Sequence, residues 1–429
     1  MAFQAGFAEV DITPPLGAHK IGWLKDIVSD KILSPLFARV AVFRTAGAQI
    51  AIVQLDTLFI AWPEVAAIRQ GVSERYHFPG SGVMVAATHN HAGPAVTHAG
   101  DVPQDGTYAA WLVSRVINAF GEALARLQEA EIGFGRTFEW RVAHNRRVVM
   151  RDGTVRTHGT FDDPNALCLE GPIDPEVAVL AVRDKNGNLL GALINFSCHP
   201  THHGGDTAID AGFPGVLAGE LRAKGFPFTL FLNGASGNVH TSDPCQGGAN
   251  MPAEQAGQLL AEDVQQVLET MIFDDDVQIG SVSRTLDLPY RLVTEDEISG
   301  LVRGAQRFID PAIYDRAIPA LVNRIRRDGA HRVEIQLLVL ADVVLAGVPG
   351  EYFCEFGLEI KERACRELTR PVHALVVSCA NGRVGYIPTR AAFDRGGYET
   401  TFGPSSMLSS SAGDMIADAV IALLQRTRE

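Results

Sequence analysis

Val177-Ala178-Val179-Leu180-Ala181-Val182, then Asp184-Lys185-Asn186-Gly187-Asn188, then Leu193-Ile194-Asn195-Phe196-Ser197 follow one another closely. Two short apolar runs flank a turn whose Asn-Gly pair accepts left-handed backbone, which predicts an antiparallel hairpin. Working outward, β-rich apolar runs recur at 38–43, 50–55, 83–87, 228–232, 334–339, 343–348 and 374–377. Between them, stretches 62–75, 109–130, 216–224, 252–270, 351–368 and 412–426 place apolar residues three or four apart, the helical period. Strands alternating with helices predict an α/β fold with mixed β-sheets and flanking helices.

The 429 residues carry a formal net charge of −13 and are 46% apolar. A disordered chain is excluded by that apolar fraction, and nucleic acid as a partner by the negative field. No run reaches the 18 or so apolar residues of a membrane span, and the N-terminus lacks the basic and apolar regions of a secretory signal. The six cysteines (Cys168, Cys198, Cys245, Cys354, Cys365, Cys379) show no C-x-x-C spacing. They read as small packing residues rather than as a disulfide framework or a zinc knuckle. A cytoplasmic protein without a membrane partner is expected. Segment 292–328 is more charged than its surroundings and reads as a surface helical pair or a lid over a site.

The 13 histidines cluster. His89-Asn90-His91 follows run 83–87, Cys198-His199-Pro200-Thr201-His202-His203 follows run 193–197, and His240 follows run 228–232 within Asn233-Gly234-Ala235-Ser236-Gly237-Asn238-Val239-His240. The C-terminal ends of strands are where α/β sheets present ligand sites, and neutral imidazole is a common ligand for divalent metals. Residues two apart in extended chain share a face, so His89 and His91 approach one centre, as two ligands or as ligand and substrate contact. Gly350-Glu351 offers a carboxylate after run 343–348; Glu351 is predicted to open the helix that follows.

The ordered series Val10-Asp11-Ile12-Thr13-Pro14, Ala87-Thr88-His89-Asn90-His91-Ala92-Gly93-Pro94, His144-Asn145-Arg146, Asn195-Phe196-Ser197-Cys198-His199-Pro200-Thr201, Gly350-Glu351 and Gly385-Tyr386 resembles the catalytic domain of neutral/alkaline ceramidases. The similarity runs from about residue 5 to about residue 410, and it is the order of the motifs that makes it specific. The resemblance implies one zinc held by His89, His199, Glu351 and Tyr386. It implies that His91, Arg146 and Tyr398, the last lying 12 residues beyond Tyr386, contact the scissile group or the carboxylate released. An Arg suits that role because its planar fork binds carboxylate in two places.

Two departures from the family shape the expectation. His240 occupies the position of the family's nucleophilic Ser, so attack by metal-activated water is expected, with His240 as acid, base or further ligand. His91, His203, Asp206 and Asp210 leave room for a second metal. The family's signal peptide, immunoglobulin-like domain and lipid-binding surfaces are not recognised, so a small soluble substrate is expected in place of ceramide. Because residues 89 to 398 must meet at one metal, residues 1–429 are expected to form one catalytic domain. The sequence reading is a zinc-dependent amide hydrolase. Its competitors are an ester or lactone hydrolase, a metal-binding chain without catalysis, and a metal-dependent lyase. Asn195, Asn233 and Asn381 are candidates for hydrogen-bonding the ligand residues.

Overall fold

The hairpin forms as its sequence dictates. Glu176–Asp184 pairs antiparallel with Leu189–Phe196, Asp184 Oδ1 accepts the amides of Asn186 and Asn188 at 2.8 Å, and Gly187 turns at φ 88°. These strands belong to a nine-stranded mixed sheet in a computed structural model that describes residues 2–308, 310–368 and 372–427. Its order is Thr229–Asn233, Leu189–Phe196, Glu176–Asp184, Gln128–Phe138, Gln4–Asp11, Phe37–Arg44, Gln49–Leu55 and Val83–Ala87, with Phe273–Asp274 added beside Gln128–Phe138. The inner pairs are antiparallel. The two outermost pairs, at opposite ends, are parallel.

A second sheet of Ile279–Pro289, Ala330–Leu340, Val343–Gly347 and His373–Val377 packs on one face of the first. Side chains alternate accordingly: Ile50 and Ile52 meet Leu338 and Leu345 between the sheets, whereas Ala51 and Val53 face helices Trp62–Tyr76 and Gly106–Ala125. Helices Gly212–Ala223 and Ala253–Leu268 cover the other half of that outer face. Helices Pro311–Asp328, Cys354–Glu367 and Ala412–Arg426 cover the far face of the second sheet. The result is one four-layered α/β domain in which each buried Val, Leu or Ile contributes roughly 1.5–3 kcal/mol. No helix among the described residues is long and apolar enough to cross a membrane.

Segment 378–381 positions the site. Ser378 donates its amide to Asn233 O at 2.8 Å, Cys379 O accepts from Ala87 N at 3.1 Å, and Asn381 exchanges bonds with Val85 at 2.8 and 2.9 Å. The two parallel edges, each followed by a histidine segment, are thereby tied together across the second sheet.

Three long strands of these two sheets escape the periodic pattern: Gln4–Asp11, Gln128–Phe138 and Ile279–Pro289. The predicted helix 109–130 ends at Ala125, because Gln128 onward adds to the sheet. That strand is Gly-rich at Gly133 and Gly135, where a Cβ would press on Met271 and Val267 at 2.6 and 2.4 Å. Glu351 does not open a helix. Glu351–Tyr352 is a short strand parallel to Tyr386–Ile387, and the helix starts at Cys354. Within 292–328, helix Glu295–Ser299 has a capping box, and helix Pro311–Asp328 buries Tyr314, Ile318 and Leu321 in the core.

Candidate active site

The sequence Val83-Met84-Val85-Ala86-Ala87 forms a fully buried edge strand, and the chain leaves it through a fixed turn. Thr88 N donates to Leu55 O, Asn90 N to Thr57 O, and Asn90 Oδ1 accepts from Ala92 N at 3.0 Å. His89 takes left-handed backbone at φ 70°, uncommon for a residue with a Cβ, and its ring is buried. On the other edge, His199 is placed by its amide bond to Val239 O at 3.1 Å. Glu351 and Tyr386 are register partners in the two-residue parallel ladder.

Three rings share one anchoring pattern. His89 Nδ1 lies 3.0 Å from Leu58 O, His91 Nδ1 2.7 Å from Gly22 O, and His199 Nδ1 2.6 Å from Ser236 O. A carbonyl can only accept, so each Nδ1 carries a proton and Nε2 is the atom left to face a metal, as in metal ligands, His89 doing so once its second proton is displaced. The ligand atoms of these three histidines lie within 4.8 Å of one another, the one group of three or more such side chains found among the described residues. Glu351 Oε2 lies 3.3 Å from His199 Nε2 and 3.4 Å from His89 Nε2, while His91 Nε2 lies 3.3 Å from His89 Nε2. Lone pairs and a buried carboxylate converging on one point fit a divalent cation. His203 instead pairs with Asp206 at 2.7 Å on the surface, and Asp210 accepts from Ser34 and Gly212, so no second cluster of three ligand side chains forms among the described residues.

The electrostatics agree. Burial, joined by the charges of Arg146 and His89, lowers His199 to about 4; burial and the neighbouring rings hold His91 well below the usual histidine range. Burial also opposes charge on His89, but Cys379 and Glu351 outweigh it and raise that ring to about 10. Burial would raise Glu351, yet His89 and His199 hold it well below the usual carboxylate range. The site thus has one carboxylate that demands a cation beside it, and His89 answers that demand with a proton.

Arg146 is buried and fixed on three sides. Its Nε donates to Glu399 at 2.8 Å, and its Nη2 donates to Gly237 O at 2.7 Å and to the Tyr386 hydroxyl at 3.2 Å. Glu399 also takes Arg147 Nη1 at 2.6 Å and Thr157 Oγ1 at 2.7 Å, which draws it down to about 2 against the effect of burial. Tyr398 packs 5.5 Å from Tyr386, ring to ring, and burial raises its hydroxyl to about 12.

His240 stands outside the three-histidine cluster, its ring 6.4 Å from that of His199. Its Nδ1 accepts the Ser242 amide at 2.9 Å, so its proton sits on Nε2, which donates to Thr201 Oγ1. Burial, then His158 and Arg146, holds it well below the usual histidine range. The asparagines act as staples: Asn195 bonds Leu232 O and Val376 O, and Asn381 bonds Val85 N and Gln336. Asn233 alone reaches both histidine segments, donating to Thr88 O at 3.3 Å and accepting from Cys198 N at 3.4 Å.

Around these groups lies a cavity of about 470 Å³. It contains all eight residues singled out in the sequence except His199, which sits behind its wall. The sequence reading missed Glu399, His158, Phe308 and Arg383. His158, lowered to about 3 by burial and by Arg146, meets Ser242 Oγ at 3.3 Å, and the Phe308 ring, from segment 292–328, lies tilted 5.3 Å from that of Tyr398. The only available signal was for Glu399: two adjacent arginines in an apolar setting require a buried carboxylate, and Glu399 adjoins Tyr398.

Histidines thus follow Val83–Ala87 and Leu189–Phe196, one strand from each parallel end pair, with a carboxylate between them, and the mixed α/β fold that carries them is shared with solved ceramidases. No protein-family model matches the chain. Neutral ceramidase of Pseudomonas aeruginosa is 32% identical over 126 residues, a segment that is 28% of this chain and 17% of that relative. Two solved structures share the fold: a ceramidase complexed with C2, at TM-score 0.76 and 18% identity over 100% of this chain and 75% of that one, and neutral ceramidase from Pseudomonas aeruginosa, at 0.73 and 20% over 99% and 75%. The resemblance drawn from the ordered motifs is therefore matched in the fold of the whole chain and in the sequence of that segment.

Proposed function

We propose that this chain is a zinc-dependent hydrolase that cleaves an amide bond in a small substrate with water. The observation that carries the reading is the common anchoring of His89, His91 and His199 through Nδ1, which brings their ligand atoms within 4.8 Å of one another, with Glu351 against His89 and His199. His89, His199 and Glu351 would hold the metal, with the Tyr386 hydroxyl completing the set as the resemblance implies. When bound there, zinc would supply Lewis-acid polarisation and activation of water at neutral pH.

The remaining roles belong to side chains. Arg146, locked by Glu399, fixes the Tyr386 hydroxyl and adds positive potential where a carbonyl oxygen gains charge. Tyr398, protonated at neutral pH, donates to the same oxygen. His91 Nε2 accepts a hydrogen bond from water or from the substrate. Water supplies the attacking oxygen, because the hydroxyl nearest a histidine, Thr201, receives a proton bond from His240 and is not deprotonated by it. The unpaired cysteines, three of them buried, suit a cytoplasmic setting.

Metal analysis and paired substrates test this. One zinc per chain, lost in His89→Ala, and chelator-sensitive turnover of an N-acyl probe above its O-acyl counterpart are expected. Purified protein that takes up no divalent ion overturns the metal, and turnover of the O-acyl probe alone overturns the amide.

A further inference from the structure

We infer that Arg383 recognises a carboxylate on the substrate, so that the proposed site acts on anionic amides of the N-acyl amino acid kind. The inference rests on the hydrolase reading for the reaction and on the cavity alone for the charge. Interior arginines elsewhere in the fold have carboxylate partners: Arg39 with Asp56 at 3.0 Å, Arg69 with Glu334 at 2.8 Å, and Arg146 and Arg147 with Glu399 at 2.8 and 2.6 Å. Arg383 has none among the described residues. Its Nη1 donates to the His98 carbonyl, and its guanidinium lies 4.6 Å over the Phe59 ring.

No carboxylate among the described residues contacts this charge, although Glu351 favours it electrostatically from within the same cavity. Glu351 is the one carboxylate among the residues lining the cavity, and it is engaged by His89 and His199. In an adjoining cavity of about 570 Å³ that Arg383 also lines, Asp101 is taken by Arg316, and Arg324 adds a second guanidinium with no carboxylate in contact among the described residues. Burial lowers Arg383 to about 10, which still leaves it charged at neutral pH. A half-buried guanidinium in the wall of a reaction cavity, with no carboxylate in contact among the described residues, is placed to pair with an anionic ligand there.

Position narrows the ligand. Phe59 lies 5.1 Å from the His89 ring, so one aromatic ring separates the guanidinium from the metal-facing histidine. An anion held by Arg383 therefore sits a few bonds from a carbonyl placed at the centre. The planar donor fork of Arg matches a carboxylate, and the Phe59, Leu24 and Leu58 walls match the apolar part of an acyl compound.

The test uses zinc-loaded full-length protein and two probe pairs: N-acylglycine against N-acylglycinamide, and the anilide of succinic acid against that of butyric acid. One pair carries the anion on the amine side and the other on the acyl side. In at least one pair the anionic member is expected to be favoured about ten- to a hundredfold in kcat/KM, as for a charge-assisted hydrogen bond. In Arg383→Gln that ratio should fall to near unity. Arg383→Met should fold with a melting temperature no lower than wild type, which a merely structural arginine would not allow. Equal use of both members in both pairs overturns the inference and leaves the hydrolase reading intact. If no probe turns over, calorimetric binding of N-acylglycine decides. Binding lost in Arg383→Gln supports the inference while the hydrolase reading fails, and binding that is absent or indifferent to the substitution overturns it.

Discussion

Glu351 Oε2 faces His199 Nε2 across 3.3 Å, although the His199 proton is already committed at Nδ1 to the Ser236 carbonyl. Two acceptors held this close repel unless a proton or a cation lies at the contact, and His89, the other partner of the same oxygen, is the ring raised to about 10. A cation would replace that proton. Zinc at a hundredfold excess over its dissociation constant should then stabilise the protein by about 2.7 kcal/mol, read as a rise in melting temperature. In Glu351→Gln, which keeps the shape and loses the charge, the rise should be largely abolished. An equal rise in the variant would mean that zinc binds elsewhere.

Glu399 holds two arginines at once, and its carboxylate is fully buried. In Glu399→Gln, Arg147 retains Glu170 but Arg146 keeps only the Gly237 carbonyl and the Tyr386 hydroxyl. Breaking a buried pair from one side costs about 3–5 kcal/mol. A drop of that size in urea-unfolding stability is expected, with a loss of kcat larger than any change in zinc content. The opposite pattern, zinc lost and stability kept, would place Glu399 at the metal instead.

The fold's class and the convergence of the histidine segments were legible in the sequence for a physical reason. Fully buried edge strands such as Val83–Ala87 leave an unbroken apolar run, and the polar residues that follow must then lie at the strand's end. What was not legible depends on contacts distant in sequence. Strand Gln4–Asp11 is rich in small residues because helix Gly106–Ala125 presses on it, to the point that a Cβ at Gly6 would lie 2.2 Å from Ala123 O. Glu351 looks like a helix opener by propensity, but its backbone is taken by Tyr386, 35 residues away in the ladder. Arg383 gives no local signal, since a missing partner can be recognised only once all its neighbours are known.

Asn233 carries the geometry of the centre without touching it. Its side chain links Thr88, beside His89, to Cys198, beside His199. Replacement by Leu would leave those two backbone groups without partners and let the segments move independently. Zinc affinity, measured against a competing chelator, is expected to fall about 10- to 100-fold, as for outer partners of metal ligands. Unchanged affinity would show that segment 378–381 alone fixes the two edges.

Far from the centre, Asp263 on helix Ala253–Leu268 shares a buried contact with Glu139. Burial first, then repulsion from Glu139, raises Asp263 to about 7, whereas the bonds from Arg141 keep Glu139 below its ordinary value despite burial. A carboxyl raised on folding stabilises the native state fully only below its unfolded value near 3.9, and that contribution is lost as pH rises through 7. Asp263→Asn removes the ionisation and keeps an N–H for Glu139. The variant should therefore exceed wild type in urea-unfolding stability by about 1–2 kcal/mol at pH 8, discounted for partial solvent screening, and by clearly less at pH 5. A gain independent of pH would assign the effect to packing rather than to the proton.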